Sequence, residues 1–237
     1  MEDTIRRGET KEIEKFSVLR LTEGSKSIIE DTIAKEFPLT IIINNQELVT
    51  LLCSPTNLEY LAVGFLSSEG LIKSKDEIKK IILDDQRGIV RVETEEGKGI
   101  PPELLFKRFI TSGCGRGASF YSTADATSRK VESQIRISAP EVFALVNEFQ
   151  HRSQVYRATG GVHSAALCDT KEILVFNEDI GRHNAIDKIF GECILKDMPT
   201  DSRLIITSGR ISSEILLKVA KRNIPLLVSK SAPTDLG

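Results

Sequence analysis

The chain has 237 residues, 40% hydrophobic and 28% charged, with 32 basic against 34 acidic side chains, which fits a globular protein of one or two domains with a real core. That near-neutral balance supplies no global field for nucleic acid, and the absence of Trp with only three Tyr leaves few platforms for stacking bases. No apolar run approaches the roughly 20 residues of a membrane span, the charged N-terminus from Glu2 onward excludes a secretory signal, and four widely spaced cysteines are expected in a reducing cytoplasm.

Residues 1–15 are polar and expected to fray, after which Phe16-Ser17-Val18-Leu19-Arg20-Leu21 alternates like an exposed strand. Residues 38–43 and 47–52 read as strands around a hairpin turn at Asn44-Asn45-Gln46. A helix follows: Thr56 caps it with Glu59 three residues on, Leu58, Leu61, Ala62 and Phe65 form its apolar stripe, and Gly70 stops it. Residues 79–83 and 88–93 predict another hairpin, and the polar segment 95–102 predicts a boundary.

The second half alternates strands and helices. Ser138 with Glu141 makes a capping box for a helix whose face carries Val142, Leu145, Val146 and Phe149. Strands at 164–168 and 172–176, a helix at 185–194, a strand at 204–207, a helix at 213–222 and a strand at 226–229 follow. Such a pattern predicts an α/β layered domain. Ile110-Thr111-Ser112-Gly113 and Ile206-Thr207-Ser208-Gly209 echo each other as two similar strand-end loops.

Within Thr111-Ser112-Gly113-Cys114-Gly115-Arg116-Gly117, a lone thiol stands among glycines that let a substrate approach closely, beside a guanidinium that favours the thiolate. The plainer alternative is an inert cysteine in a tight turn. Cys53, Cys168 and Cys193 sit in apolar runs or on an apolar helix face and read as core residues. No two cysteines are spaced C-x-x-C, so no structural metal is expected.

Three further polar clusters stand out. Gly160-Gly161-Val162-His163 opens a strand, where paired glycines would leave amides for a ligand and His163 could exchange a proton, or where a turn holds a satisfied histidine. Asn177 through Asn184, including Asp179, Arg182 and His183, lies between a strand end and a helix start, where α/β sheets bind ligands. Ser208-Gly209-Arg210-Ile211-Ser212 is a second such loop with a cation and hydroxyls suited to phosphate, although a simple helix cap also explains Ser212.

Taken in order, LEYLAVGFLSSEG (58–70), TSGCGRG (111–117), GGVHSA (160–165), NEDIGRHNAID (177–187), ITSGRISSE (206–214) and SKSAPTDL (229–236) resemble the FdhD/NarQ family of formate dehydrogenase accessory sulfurtransferases. The resemblance implies a cytidine-deaminase-like α/β domain at 106–237 behind a smaller α+β portion at 1–105. It implies that Cys114 carries a persulfide from a cysteine desulfurase to the molybdenum cofactor in its bis(guanine dinucleotide) form, activating formate dehydrogenase, and a homodimer is expected. Where some members place a second cysteine three positions later, this chain has Gly117, so Cys114 is expected to act alone. Deaminase chemistry is excluded, because neither H-x-E nor P-C-x-x-C occurs and Ala165 follows His163 by two. Family chains usually continue past the position of Gly237 into a segment implicated in contacting the nucleotide, and that segment is expected to be missing here.

On this reading Arg116, Gly160, Gly161, Arg182, Ser208, Gly209, Arg210 and Ser212 would meet the cofactor or a guanine nucleotide. His163, His183 and Asp179 would support Cys114. Two other classes remain open: a non-catalytic cofactor chaperone, and a cysteine hydrolase using Cys114 with a histidine and Asp179.

Overall fold

A computed structural model describes residues 11–95 and 131–237. The Cys114 and Arg116 loop, the first of the two echoing segments, and nearly all of the polar boundary at 95–102 lie outside the described residues.

The chain first forms a two-stranded antiparallel ribbon from β1 (Ile13–Thr22) and β2 (Ser25–Ala34). Residues 13–15 are thus paired rather than frayed, and β2 was not foreseen, because Ser25-Lys26-Ser27-Ile28-Ile29-Glu30-Asp31 lacks clean alternation. Next come β3 (Phe37–Ile43) and β4 (Gln46–Cys53), joined through Asn44 and Asn45 at φ 46° and 64°. Two successive left-handed residues are what a tight hairpin demands and what Asn tolerates. With β5 (Ile78–Asp84) and β6 (Ile89–Thr94) they form a sheet ordered β4-β3-β6-β5, whose only parallel pair is β3 with β6.

Leu39, Ile41, Leu51, Val90 and Val92 of this sheet pack with Leu61, Ala62 and Leu66 of helix α1 (Leu58–Ser68). The helix is not capped by Thr56. Asn57 is its N-cap in the left-handed region at φ 54°, and the Thr56 hydroxyl donates to Glu12 at 2.7 Å. Gly70, at φ 76°, ends the helical segment as expected.

The second half builds three layers. Its sheet, ordered β10-β9-β7-β8, comprises β7 (His163–Cys168), β8 (Ile173–Asp179), β9 (Leu204–Thr207) and β10 (Leu226–Ser229); β9 and β10 are parallel, and β7 runs antiparallel to β8 and β9. Helix α2 (Ala139–Arg152) begins at the expected capping box, with Glu141 accepting from the Ser138 amide at 2.7 Å. It brings Leu145 and Phe149 onto Ala166, Cys168, Leu204 and Ile206. A short helix α3 (Gln154–Thr159), not foreseen, ends at Gly160. On the opposite face, α4 (Arg182–Leu195) and α5 (Ser213–Lys221) cover Ala165, Leu167, Val175 and Ile205 with Ile186, Ile189, Phe190, Ile215 and Val219. The period-two alternation along β7 divides these two cores.

Helices α1 and α4 join the two sheets. They meet at Gly64 and Gly191, where a Cβ on either would overlap the carbonyl oxygen of Asp187 or of Tyr60. Among the described residues no helix is long and apolar enough to cross a membrane.

Candidate functional site

Strand directions place the start of β7 and the ends of β8, β9 and β10 at one edge of the second sheet. His163, Asp179, Thr207 and Ser229 therefore lie along that edge, and the connections from β8 and β9 lead straight into α4 and α5. Strand ends that feed helices are where layered α/β folds bind ligands.

Hydrogen bonds hold the 208–212 loop from both sides. The Ser208 amide donates to the Ser164 carbonyl at 3.0 Å, and the Ser164 amide donates back to Ser208 Oγ at 2.9 Å. Ser208 Oγ also lies 3.3 Å from His163 Nδ1. From β10, Ser229 Oγ donates to the Gly209 carbonyl at 2.7 Å, and Ser231 Oγ donates to that of Ser208 at 2.8 Å. Gly209 is needed for close approach: a Cβ there would stand 2.7 Å from Cβ of Arg182, whose side chain lies over it. His163, Arg182, Ser208 and Gly209, distant in sequence, thus converge, with Arg210 near enough to act on the His163 ring.

Arg182, His183 and Asn184 form the first turn of α4 instead of belonging to a long loop, and only Ile180 and Gly181 link strand to helix. Beneath that turn sits Asp179, fully buried. Its Oδ2 pairs with Lys188 Nζ at 2.7 Å and accepts from the Ser54 amide at 3.0 Å, while Oδ1 accepts from the Gly181 amide and from Asn184 Nδ2, each at 2.9 Å. Both oxygens are occupied within the protein, so Asp179 supports the turn carrying Arg182 and His183. Lys188, also fully buried, donates to the carbonyls of Ser54 and Glu178. Sequence reasoning missed Lys188 and Ser54. The usable signal was a lysine set among Ala185, Ile186, Ile189 and Phe190 in a helix that sequence reading already placed against the core, since lysines are almost never fully buried unless paired.

The glycine pair differs from expectation. The Gly160 amide donates to the Tyr156 carbonyl at 2.7 Å as the left-handed cap of α3, and the Gly161 amide donates to Thr159 Oγ1 at 3.0 Å. Both amides are engaged within the protein, not presented to a ligand, and a Cβ on Gly161 would stand 3.0 Å from Cβ of Ala34 at the end of β2. Ser212 is the N-cap residue of α5, but its hydroxyl makes no capping bond.

Burial, followed by the charges of Arg182 and Arg210, pushes His163 below its ordinary pKa, against an opposing pull from Asp179. His183 is pushed down to about 3, first by burial and then by Lys218, Arg182 and His163. Its Nε2 lies 3.1 Å from Glu214 Oε2, misaligned for a hydrogen bond. With that depressed pKa, the contact joins a neutral imidazole to a carboxylate and is not an ion pair.

The remaining thiols are inert by position. Burial, as the largest cause, pushes Cys53 and Cys168 up to about 12 and Cys193 up to about 11. All three are buried thiols at neutral pH, as their apolar settings predicted.

The FdhD/NarQ family model matches residues 34–237, which includes every element from β3 onward. The chain belongs to the FdhD/NarQ family. It is 46% identical over 221 residues to the sulfur carrier protein FdhD of Bacillus subtilis (strain 168), covering 93% of this chain and 84% of that relative. Against the sulfur carrier protein FdhD of Staphylococcus aureus (strain MRSA252) the identity is 42% over 221 residues, covering 93% and 83%. The fold is similar to that of a crystal structure from Desulfotalea psychrophila described as a formate dehydrogenase accessory protein, with TM-score 0.77, 25% identity and coverage of 95% of this chain and 86% of that one. These FdhD/NarQ likenesses extend over both sheets and the edge where His163, Arg182 and Ser208 meet.

Proposed function

We propose that this chain is a cytoplasmic sulfur carrier for formate dehydrogenase maturation, which takes persulfide sulfur from a cysteine desulfurase onto Cys114 and passes it to the molybdenum cofactor. The observation that carries the reading is its close similarity, over 93% of its length, to relatives named sulfur carrier protein FdhD. Supporting it, the three cysteines among the described residues are buried thiols pushed far from ionisation. That leaves Cys114, between glycines and beside Arg116, as the candidate carrier.

Loading is a thiol exchange without net redox change. The Cys114 thiolate attacks the outer sulfur of the donor persulfide, the donor's S–S bond breaks, and its cysteine leaves as thiolate. In delivery, the outer sulfur of the Cys114 persulfide forms a bond to the acceptor as the S–S bond breaks. The acceptor supplies the two electrons that bring this sulfur to the sulfide level, and Cys114 leaves as thiolate. The acceptor is anionic through its guanine dinucleotide phosphates, and Arg182 and Arg210 supply cationic side chains at the sheet edge for such a group. A homodimer is part of the same proposal.

A non-catalytic cofactor chaperone is the second reading, favoured by the edge site's cationic residues alone. Activation of formate dehydrogenase by Cys114→Ala protein separates the two: the sulfur carrier loses it, whereas a chaperone retains it.

A further inference from the structure

We propose that Ser208 fixes His163 as the neutral Nε2–H tautomer, so that His163 meets an incoming phosphate-type oxyanion as a hydrogen-bond donor and not as a base. A serine hydroxyl has one hydrogen and two lone pairs. One lone pair of Ser208 Oγ is taken by the Ser164 amide at 2.9 Å, and the other close contact is His163 Nδ1 at 3.3 Å.

If the hydroxyl hydrogen points to Nδ1, that nitrogen is the acceptor and the ring proton sits on Nε2. In the opposite tautomer Nδ1–H would donate to Oγ, which would then accept twice while its own hydrogen found no acceptor among the described residues. Of the nearby carbonyls, that of Ser164 already accepts twice, from the Ser208 amide at 3.0 Å and the Thr207 hydroxyl at 3.4 Å, and that of Ser208 accepts from Ser231 Oγ, with no bond from Ser208 Oγ to either. An unmade hydrogen bond in a half-buried position is the costlier arrangement.

Burial and the charges of Arg182 and Arg210 keep the ring neutral near neutral pH, so one of its nitrogens must carry a lone pair. Nε2 makes no hydrogen bond to any described residue. A donor at that nitrogen, with two guanidiniums close by, matches the oxygens of a phosphate. The oxyanion half of this inference rests on the proposed delivery to a phosphate-bearing acceptor; the tautomer half does not.

The tautomer is read by long-range proton–nitrogen NMR on the full chain labelled with 15N-histidine. His151, whose Nδ1 lies 2.7 Å from the Asn147 carbonyl, is an internal reference of the opposite pattern, since a carbonyl only accepts. His163 is expected to show an unprotonated Nδ1 and a protonated Nε2. Ser208→Ala is expected to give mixed tautomers, and Ser208→Thr to restore the single one. A protonated Nδ1 in the wild type, or an unchanged single Nε2–H tautomer in Ser208→Ala, overturns the proposal.

Inorganic pyrophosphate titrated by calorimetry tests the donor role. His163→Gln places an amide N–H where Nε2–H stood and is expected to keep affinity within about threefold, whereas His163→Asn is expected to lose about tenfold. Equal losses in the two variants, or no pyrophosphate binding by the wild type, overturn the oxyanion role. Neither measurement involves Cys114 or sulfur, so failure of the sulfur-carrier reading would register separately.

Discussion

Asp179 and Lys188 form an ion pair, Oδ2 to Nζ at 2.7 Å, in which neither side chain has any exposed surface. The pair lies where the end of β4 meets the end of β8, because Asp179 also accepts from the Ser54 amide and Lys188 donates to the Ser54 carbonyl. It joins the first sheet to the turn that presents Arg182 and His183.

Breaking a buried pair leaves an uncompensated charge, whereas removing both partners does not. Lys188→Met is therefore expected to lower unfolding stability by about 3–5 kcal/mol. The double variant Asp179→Asn with Lys188→Met should recover much of that loss. Urea denaturation measures both, and a Lys188→Met protein as stable as wild type would contradict the assignment.

The crossing of α1 and α4 depends on two missing side chains. A Cβ at Gly64 would overlap the Asp187 carbonyl, and backbone cannot swing aside as a side-chain tip can. Gly64→Ala is expected to destabilise by at least about 1–3 kcal/mol, the usual range for overpacking, despite the better helix propensity of alanine. Thermal unfolding of Gly64→Ala beside Gly24→Ala, where no atom lies within 4 Å of the added carbon, isolates the packing effect. Equal melting temperatures for the two variants would refute the close crossing.

These two relationships show what the sequence withheld. Period-two alternation and turn chemistry made β3, β4 and their Asn44-Asn45 turn legible, and the Ser138-Glu141 box marked the start of α2, because those signals are local. The Asn57 cap was hidden behind a plausible Thr56, whose hydroxyl instead finds Glu12, far back in the chain. Similarly, Gly160 and Gly161 looked like ligand-binding glycines until α3 and β2 claimed them. At the site, Arg182, His163 and Ser208 were legible as polar residues at strand ends, but Lys188 and Ser54 act through contacts between distant segments that spacing does not encode.

His183 gives the fold a pH dependence. In the unfolded chain it takes a proton near its ordinary pKa of about 6.5, while the folded ring resists protonation down to about 3. Between those values the unfolded state binds more protons, so this contribution to stability is complete above about pH 6.5 and is lost as pH falls toward 3. His163, shifted in the same direction, adds to it. His183→Gln is expected to flatten the fall in urea midpoint between about pH 7 and about pH 5. An unchanged slope would mean that His183 is not held neutral.

The central claim is that Cys114 alone carries sulfur. Intact-mass and peptide mapping after incubation with a cysteine desulfurase and free cysteine tests it most directly. The account predicts a gain of about 32 Da per sulfur on the Cys114 peptide, with Cys53, Cys168 and Cys193 unmodified in their buried settings. A stable sulfur adduct on any of those three, or an unmodified Cys114, would contradict it.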